Sequence, residues 1–288
     1  VILHGAKSIA LPTKVGQKMI VKPSRGSDLV WVSKDPDGNK WFEAQISLLD
    51  FSPVKTTDEE KAIYLGNLLK NAVRLNSEFL DKWNGFRVET YLEFDQHWGL
   101  GSSSTLIHNV AQWAEVNPYY LHFKVSNGSG YDIACAGADG PIEYTMKNDE
   151  LTVAGVDFEP KFMDKLYFVY SGQKQNSKVE VQEFLKTKKV TKAQIAEISD
   201  LSDKIATSKS FGKFEQHIVT HEEIIGGILG RTTVKDEHFR DFWGSVKSLG
   251  AWGGDFLLAT SDKPVKATMS YFKEKGFETI IPYRELIL

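Results

Sequence analysis

The first 50 residues alternate short β-branched and aromatic runs with clusters of turn formers. "SIALPT", "QKMIVKPS" and "DLVWVSKDPDGNKWFEAQISLL" predict strands of an antiparallel sheet, and Asp37-Gly38 between two such runs predicts a hairpin turn. The period then changes from two to that of a helix in "TTDEEKAIYLGNLLKNAVRLN". There Thr57 or Asp58 can cap, acids fill the first turn, and Ile63, Leu65, Leu68, Leu69 and Val73 mark an apolar stripe. "GFRVETYLEF" returns to strand alternation, and "TLIHNVAQWAEV" is helical until Asn117-Pro118 stops it. A glycine-rich loop, "SNGSGYDIACAGADGPIEYTM", leads into another β-run.

Around residue 160 the pattern restarts. "KLYFVYSGQKQNSK" predicts a buried strand ending in a polar turn, followed by a long helical region from about Val179 to Leu229. "SVKSLGAWGGDFLLATS", a helix "KATMSYFKEKG" and a last strand "ETIIPY" complete a βααβαβ order. Helices against one antiparallel sheet make this half an α+β sandwich. The fold class is therefore α+β with two domains, residues 1–160 and 161–288, and the chain carries no tandem repeat.

Composition narrows the class. At 288 residues and 41% hydrophobic content the chain can bury the core of one large or two ordinary domains. A net charge of −3, with no Lys/Arg block, provides no field to gather nucleic acid or an anionic membrane surface. Cys135 is the only cysteine, so neither an internal disulfide nor a cysteine zinc cluster can form, which fits a reducing cytoplasm. No apolar run approaches the ~18 residues of a membrane span, and "VILHGAKSIALP" is broken by His4, Gly5 and Lys7. The expectation is a soluble monomer or homodimer acting on a small molecule. The opening Val1 in place of Met implies further residues upstream.

Candidate chemistry begins at "DQHWGLGSSSTLIHNVAQWA", residues 95–114, where two glycines and three serines precede a helix. A helix N-terminus exposes unpaired N–H groups and the positive end of the peptide dipole, so such a segment can wrap an anion. Plain helix capping by Ser or Thr accounts for the same residues. No Lys follows the glycines as a Walker loop requires, and the third glycine of the dinucleotide pattern is lacking. Asp132 in its glycine-rich loop reads, on its own residues, as a turn former. His217 and His221 share a helix face with Glu222 beside them, but without an H-E-x-x-H string they read as a partly exposed helix face. Cys135 reads as a small buried side chain, and the aromatic residues of "FRDFWGSV" as core.

Three segments in order, "GLGSSSTL" after a strand, "GSGYDIA" some thirty residues on and "KSLGAWGGDFLLAT" near the C-terminus, resemble the GHMP kinase superfamily. That superfamily includes galactokinase, homoserine kinase, mevalonate kinase and phosphomevalonate kinase. The string Gly130 to Ala134 resembles a bacterial subgroup of it. The resemblance implies an N-terminal domain like domain 2 of ribosomal protein S5, a ferredoxin-like C-terminal domain, and ATP with Mg²⁺ as cofactors. It implies that Gly99, Leu100, Gly101, Ser102, Ser103 and Ser104 hold the ATP phosphates, with Ser103 facing Mg²⁺. Gly250, Gly253 and Gly254 match the C-terminal glycine motif that supports the phosphates. Asp132 becomes the group that positions or deprotonates the acceptor, with Ser129 and Gly130 beside it. Lys174 and Ser177, in a turn that also reads as a solvated loop, match a segment facing an anionic acceptor.

The sequence departs from the family pattern in three places. Trp252 stands where relatives usually have glycine, "VILHGAKS" either begins after the N-terminal Lys motif or catches only its tail, and Lys7 is not promoted to that role. "YYLHFKVSN" also lacks the Glu that supplies a second Mg²⁺ ligand, with Glu115 well upstream. The implied activity is an ATP-dependent kinase most like mevalonate or phosphomevalonate kinase, acting on a hydroxyl or phosphate of a small acceptor. A binding protein of this fold without catalysis and a diphosphomevalonate decarboxylase-like enzyme are the alternatives.

Overall fold

The computed structural model describes residues 1–81, 84–148, 150–172, 184–186, 189–250 and 254–288. Apart from short 3-10 turns, its elements begin with β1 (Ser8–Ala10), β2 (Gln17–Ser24), β3 (Asp28–Lys34), β4 (Lys40–Ser47), β5 (Pro53–Thr56) and α1 (Glu59–Leu75). Next come β6 (Gly85–Leu92), α2 (Ser102–Trp113), α3 (Pro118–Val125), α4 (Tyr131–Ala136), β7 (Ile142–Lys147), β8 (Glu150–Gly155) and β9 (Leu166–Tyr170). The chain continues with α5 (Lys192–Ala206), α6 (Phe211–Leu229), α7 (Val234–His238), β10 (Val246–Ser248), β11 (Phe256–Thr260), α8 (Val265–Glu274), β12 (Ile280–Pro282) and α9 (Tyr283–Leu286). No helix among the described residues is long and apolar enough to cross a membrane.

Contacts divide the chain into two compact units. The first comprises residues 15–96 and 100–137, and the second residues 1–14, 97–99 and 138–288. In the first, five strands in the order β2-β6-β3-β4-β5 pair antiparallel, except for the parallel pair β3 and β6. The β3–β4 hairpin turns where Asp37-Gly38 predicts it: Gly38 takes φ +84, and Asn39 N–H donates to Asp35 Oδ1 at 2.8 Å. Helix α1 starts at Asp58, whose carboxylate accepts from Lys61 N–H. Leu65, Leu68, Leu69 and Ala72 bury one face of α1 against Trp31, Ala44, Ile46 and Val88 of the sheet. Each buried leucine contributes about 1.5–3 kcal/mol. Ile63 is not part of this stripe; it lies about 200° round the helix from Leu65 and is 55% exposed.

The second unit holds the sheets β1-β7-β8 and β10-β11-β9-β12, both antiparallel throughout. Val169 of β9, Leu257 and Ala259 of β11, Phe272 of α8 and Ile280 of β12 close one core with Phe239 and Phe242. Trp243, expected as core with these phenylalanines, is 41% exposed and donates its indole N–H to Ser261 Oγ at 2.8 Å. Strands β7 and β8 group with this unit because β1 pairs with β7, so residues 138–160 join the later part of the chain in contacts. The helical region expected up to Leu229 breaks at residues 207–210, between α5 and α6. Helix α5 opens on a capping box, with Thr191 and Gln194 exchanging side-chain and backbone hydrogen bonds.

Candidate functional site

The glycine-serine segment is built differently from the sequence expectation in one respect. The serines are not ahead of the helix; Gly101 is its N-cap, and Ser102, Ser103 and Ser104 form the first turn of α2. Gly101 takes φ +82 and ψ 32, a left-handed conformation that glycine adopts without the penalty a side chain meets. Since glycine has no side chain, nothing from the cap covers the first-turn N–H groups. Ser103 is exposed, while Leu100, Ser102 and Ser104 are half-buried. The helix is pinned to β2: Thr105 Oγ1 donates to Gln17 Oε1 at 3.0 Å, and Asn109 Nδ2 donates to the Gln17 carbonyl at 2.9 Å.

The residues just before it belong to the second unit. Tyr170 donates its hydroxyl to the His97 carbonyl at 2.9 Å, and Trp98 packs its ring edge-on against Phe256. Gly99 takes φ +66, and a Cβ there would collide with the Asp255 carboxylate. The bare backbone at Gly99 thus has a packing cause in addition to any ligand. The chain crosses between the units at residues 99–100.

Helix α4 packs against α2 within the first unit. It opens on Gly130, buried at φ +80, with Ser129 Oγ accepting from Tyr131 N–H at 3.3 Å. Asp132 lies in its first turn and is accessible to water, yet desolvation by the surrounding protein pushes its carboxyl above the ordinary carboxylate range. Cys135, half-buried, has its thiol pushed up to about 12 by burial and then by the Asp132 charge, which removes thiolate character at neutral pH.

Of the C-terminal glycines, Gly250 is exposed at φ +63 and Gly254 is buried. Gly253, Trp252, Lys174 and Ser177 lie outside the described residues. The Lys7 ammonium is held by Glu143 at 2.9 Å and Asp203 at 2.7 Å. Among the described residues no group of three or more His, Cys, Asp or Glu side chains is arranged to hold a metal ion. Those residues therefore provide hydroxyls and a lone carboxyl, a set that fits Mg²⁺ arriving with phosphate oxygens rather than a cage of protein ligands.

Sequence reasoning missed two features. One is Asp255 against Gly99. The other is the helix face carrying Glu222, which is 2% exposed rather than partly exposed as expected. Phe214, Ile218, Glu222 and Gly226 are all buried on α6 at intervals of four, so a carboxylate occupies a place in an apolar stripe. That spacing is the signal that identifies it.

No protein-family model matches this sequence, and no curated protein matches it. Solved structures do match in fold. A crystal structure of the Lin0012 protein from Listeria innocua superimposes with a TM-score of 0.72 at 16% identity, covering 98% of this chain and 92% of that one. A mevalonate kinase gives 0.71 at 17% identity, over 97% and 92% of the two chains. Streptococcus pneumoniae phosphomevalonate kinase, in complex with phosphomevalonate and AMPPNP, gives 0.65 at 13% identity, over 96% and 97%. The likeness to these structures is one of fold, and it extends along nearly the whole chain.

Proposed function

We propose that this chain is an ATP-dependent small-molecule kinase of the GHMP type, most like mevalonate or phosphomevalonate kinase. It transfers the terminal phosphoryl group of ATP to a hydroxyl or phosphate of its acceptor. The observation that carries the reading is the first turn of α2, opened by a left-handed glycine with no side-chain cap, beside the helix that bears Asp132. Kinase relatives of the same fold support it. Uncapped N–H groups and the hydroxyls of Ser102, Ser103 and Ser104 would hold phosphate oxygens, and Ser103 would supply the hydroxyl for Mg²⁺. When bound, MgATP supplies the phosphoryl group. Asp132, raised by desolvation, accepts or orients the proton of the acceptor hydroxyl. By the same resemblance Gly250, Gly253 and Gly254 are assigned to the nucleotide, and Lys174 and Ser177 to the acceptor.

The test is ADP release on mixing the protein and MgATP with mevalonate, phosphomevalonate, homoserine and hexoses in turn. One acceptor should stimulate release, and analysis for CO₂ separates a decarboxylase from a kinase. The reading fails if no acceptor stimulates release and calorimetry detects no nucleotide. A second reading, nucleotide binding without catalysis, is motivated by Trp252 in the glycine segment and by "YYLHFKVSN", which carries no Glu. Nucleotide binding without turnover on any acceptor would select it.

A further inference from the structure

Helix α6 faces the β10–β11 hairpin with two carboxylates seven residues apart, which puts them on one face. Glu215 grips the base of the hairpin: its Oε1 accepts from Thr260 Oγ1 at 2.6 Å, and Thr260 Oγ1 accepts from Ser245 N–H at 2.8 Å. Glu222 grips the other end. Its Oε1 accepts from Ser248 N–H at 3.1 Å, and its Oε2 lies 3.5 Å from Lys247 Nζ. Lys247 in turn donates to the Ser248 carbonyl at 2.9 Å. Strand β10 is the edge of its sheet, so the outward N–H and C=O of Ser248 have no neighbouring strand to pair with. The two side chains of opposite charge take one group each.

Ser248 is the last residue of β10, and the chain then enters the C-terminal glycine segment. Leu249 N–H closes the hairpin on the Phe256 carbonyl at 3.2 Å, and Gly250 follows at φ +63. Around this point Glu222 Oε2, Ser248 Oγ and His221 Nδ1 are buried without a hydrogen-bond partner among the described residues. Burial pushes the Glu222 carboxyl up and the Lys247 ammonium down, against their mutual attraction. A buried ion pair with unsatisfied atoms adds less net stability than well-packed apolar side chains of the same size. Fixing a backbone direction is a role that an apolar pair does not fill.

We infer that Glu222 and Lys247 are positioning residues: they set the path of the chain into the glycine segment at Gly250 and thereby the affinity for the phosphate chain of ATP. This rests on the kinase reading above. Glu222→Gln keeps the shape and an acceptor for Ser248 N–H but removes the charge. In a folded Glu222→Gln protein, amide exchange at Ser248 and Leu249 should quicken about tenfold, the scale of the charge assistance that a neutral amide acceptor gives up. The KM for MgATP should rise by about the same factor with kcat nearly unchanged. Lys247→Met should act in the same way, and the double variant should be no worse than either single one. Unchanged exchange at both amides overturns the inference, and so does quickened exchange with an unchanged KM, which leaves a purely structural pair. If Glu222→Gln does not fold, Lys247→Met carries the same readouts. A wild-type protein that binds no MgATP removes the kinase reading and the affinity half of this one, while amide exchange still decides whether the pair sets the chain's path.

Discussion

Asp132 and Glu222 are both carboxyls that desolvation pushes above their ordinary range, and they sit in opposite surroundings. Asp132 opens a short helix in the first unit, is reached by water, and has desolvation as the one cause of its shift. Glu222 lies mid-helix in the second unit, 2% exposed, with Lys247 and the Ser248 N–H opposing its desolvation. The contrast teaches that a raised carboxyl does not by itself mark chemistry. Exposure, and no counter-charge named among the described residues, set Asp132 apart from Glu222, which holds backbone and faces Lys247.

The largest expected effect breaks or sharpens this contrast directly. Asp132→Asn should lower kcat about a thousandfold, the middle of the range for losing a general base, without lowering the unfolding midpoint at pH 7. The sign follows from linkage. A carboxyl whose folded pKa exceeds its unfolded one contributes stability in the protonated form, and that contribution is lost as pH rises from the unfolded value through the folded one. At pH 7 the ionised Asp132 is already on the costly side, so Asn leaves the protein at least as stable. The wild-type kcat/KM should fall on an acid limb above the 3.8 of an ordinary Asp, and the residual rate of Asp132→Asn should lack that limb. A marked loss of stability in Asp132→Asn would move Asp132 into the same class as Glu222.

The next contrast lies within one turn. Gly99 and Gly101 are both left-handed, but a Cβ at Gly99 collides with Asp255, whereas at Gly101 it meets only Ser104 Cβ at 4.0 Å. Gly101→Ala should therefore cost about 1 kcal/mol, the left-handed penalty alone, and Gly99→Ala about 3 kcal/mol once the collision is added. Urea titration compares the two. Equal costs would mean that Asp255 gives way and that Gly99 is bare for a ligand's sake.

The parts of the fold that sequence makes legible are those where one local rule acts alone. Asp37-Gly38 fixes a hairpin, Asp58 caps α1, and Leu65, Leu68 and Leu69 share a face, all through contacts within a few residues. Ile63 and Trp243 were misplaced because hydrophobicity was counted without its angle round the helix or the polar end of the ring. The serines of α2 were set one turn too early since Gly101, not a hydroxyl, takes the cap. What remained hidden depends on distant chain: Asp255 against Gly99 joins residues 156 positions apart, and the Ser248–Glu222 bond joins residues 26 apart. Such pairs leave no periodicity to read. The ordered motifs did point to the fold, and in the first of them Gly101 and Gly99 answer to different demands, a left-handed helix cap and the approach of Asp255.

The smallest effect tests the open side of the contrast. Ser103 is exposed in the first turn of α2, and Ser103→Ala removes one hydroxyl without opening a cavity. Loss of a single hydrogen bond to phosphate or to its metal is worth about 1 kcal/mol, or roughly fivefold in affinity for MgATP. Alanine is also the better helix former by about 0.5 kcal/mol, so stability should rise slightly while affinity falls. Opposite signs in calorimetry and thermal unfolding are what a ligand-facing residue gives, whereas Glu222→Gln should lose affinity together with amide protection at Ser248 and Leu249. Should Ser103→Ala leave affinity unchanged while Ser102→Ala or Ser104→Ala lowers it, the ligand-facing hydroxyl is one of the half-buried pair. If all three leave affinity unchanged, only backbone N–H groups face the phosphates, and Gly101→Ala becomes the substitution that discriminates, because it shifts the first-turn amides themselves.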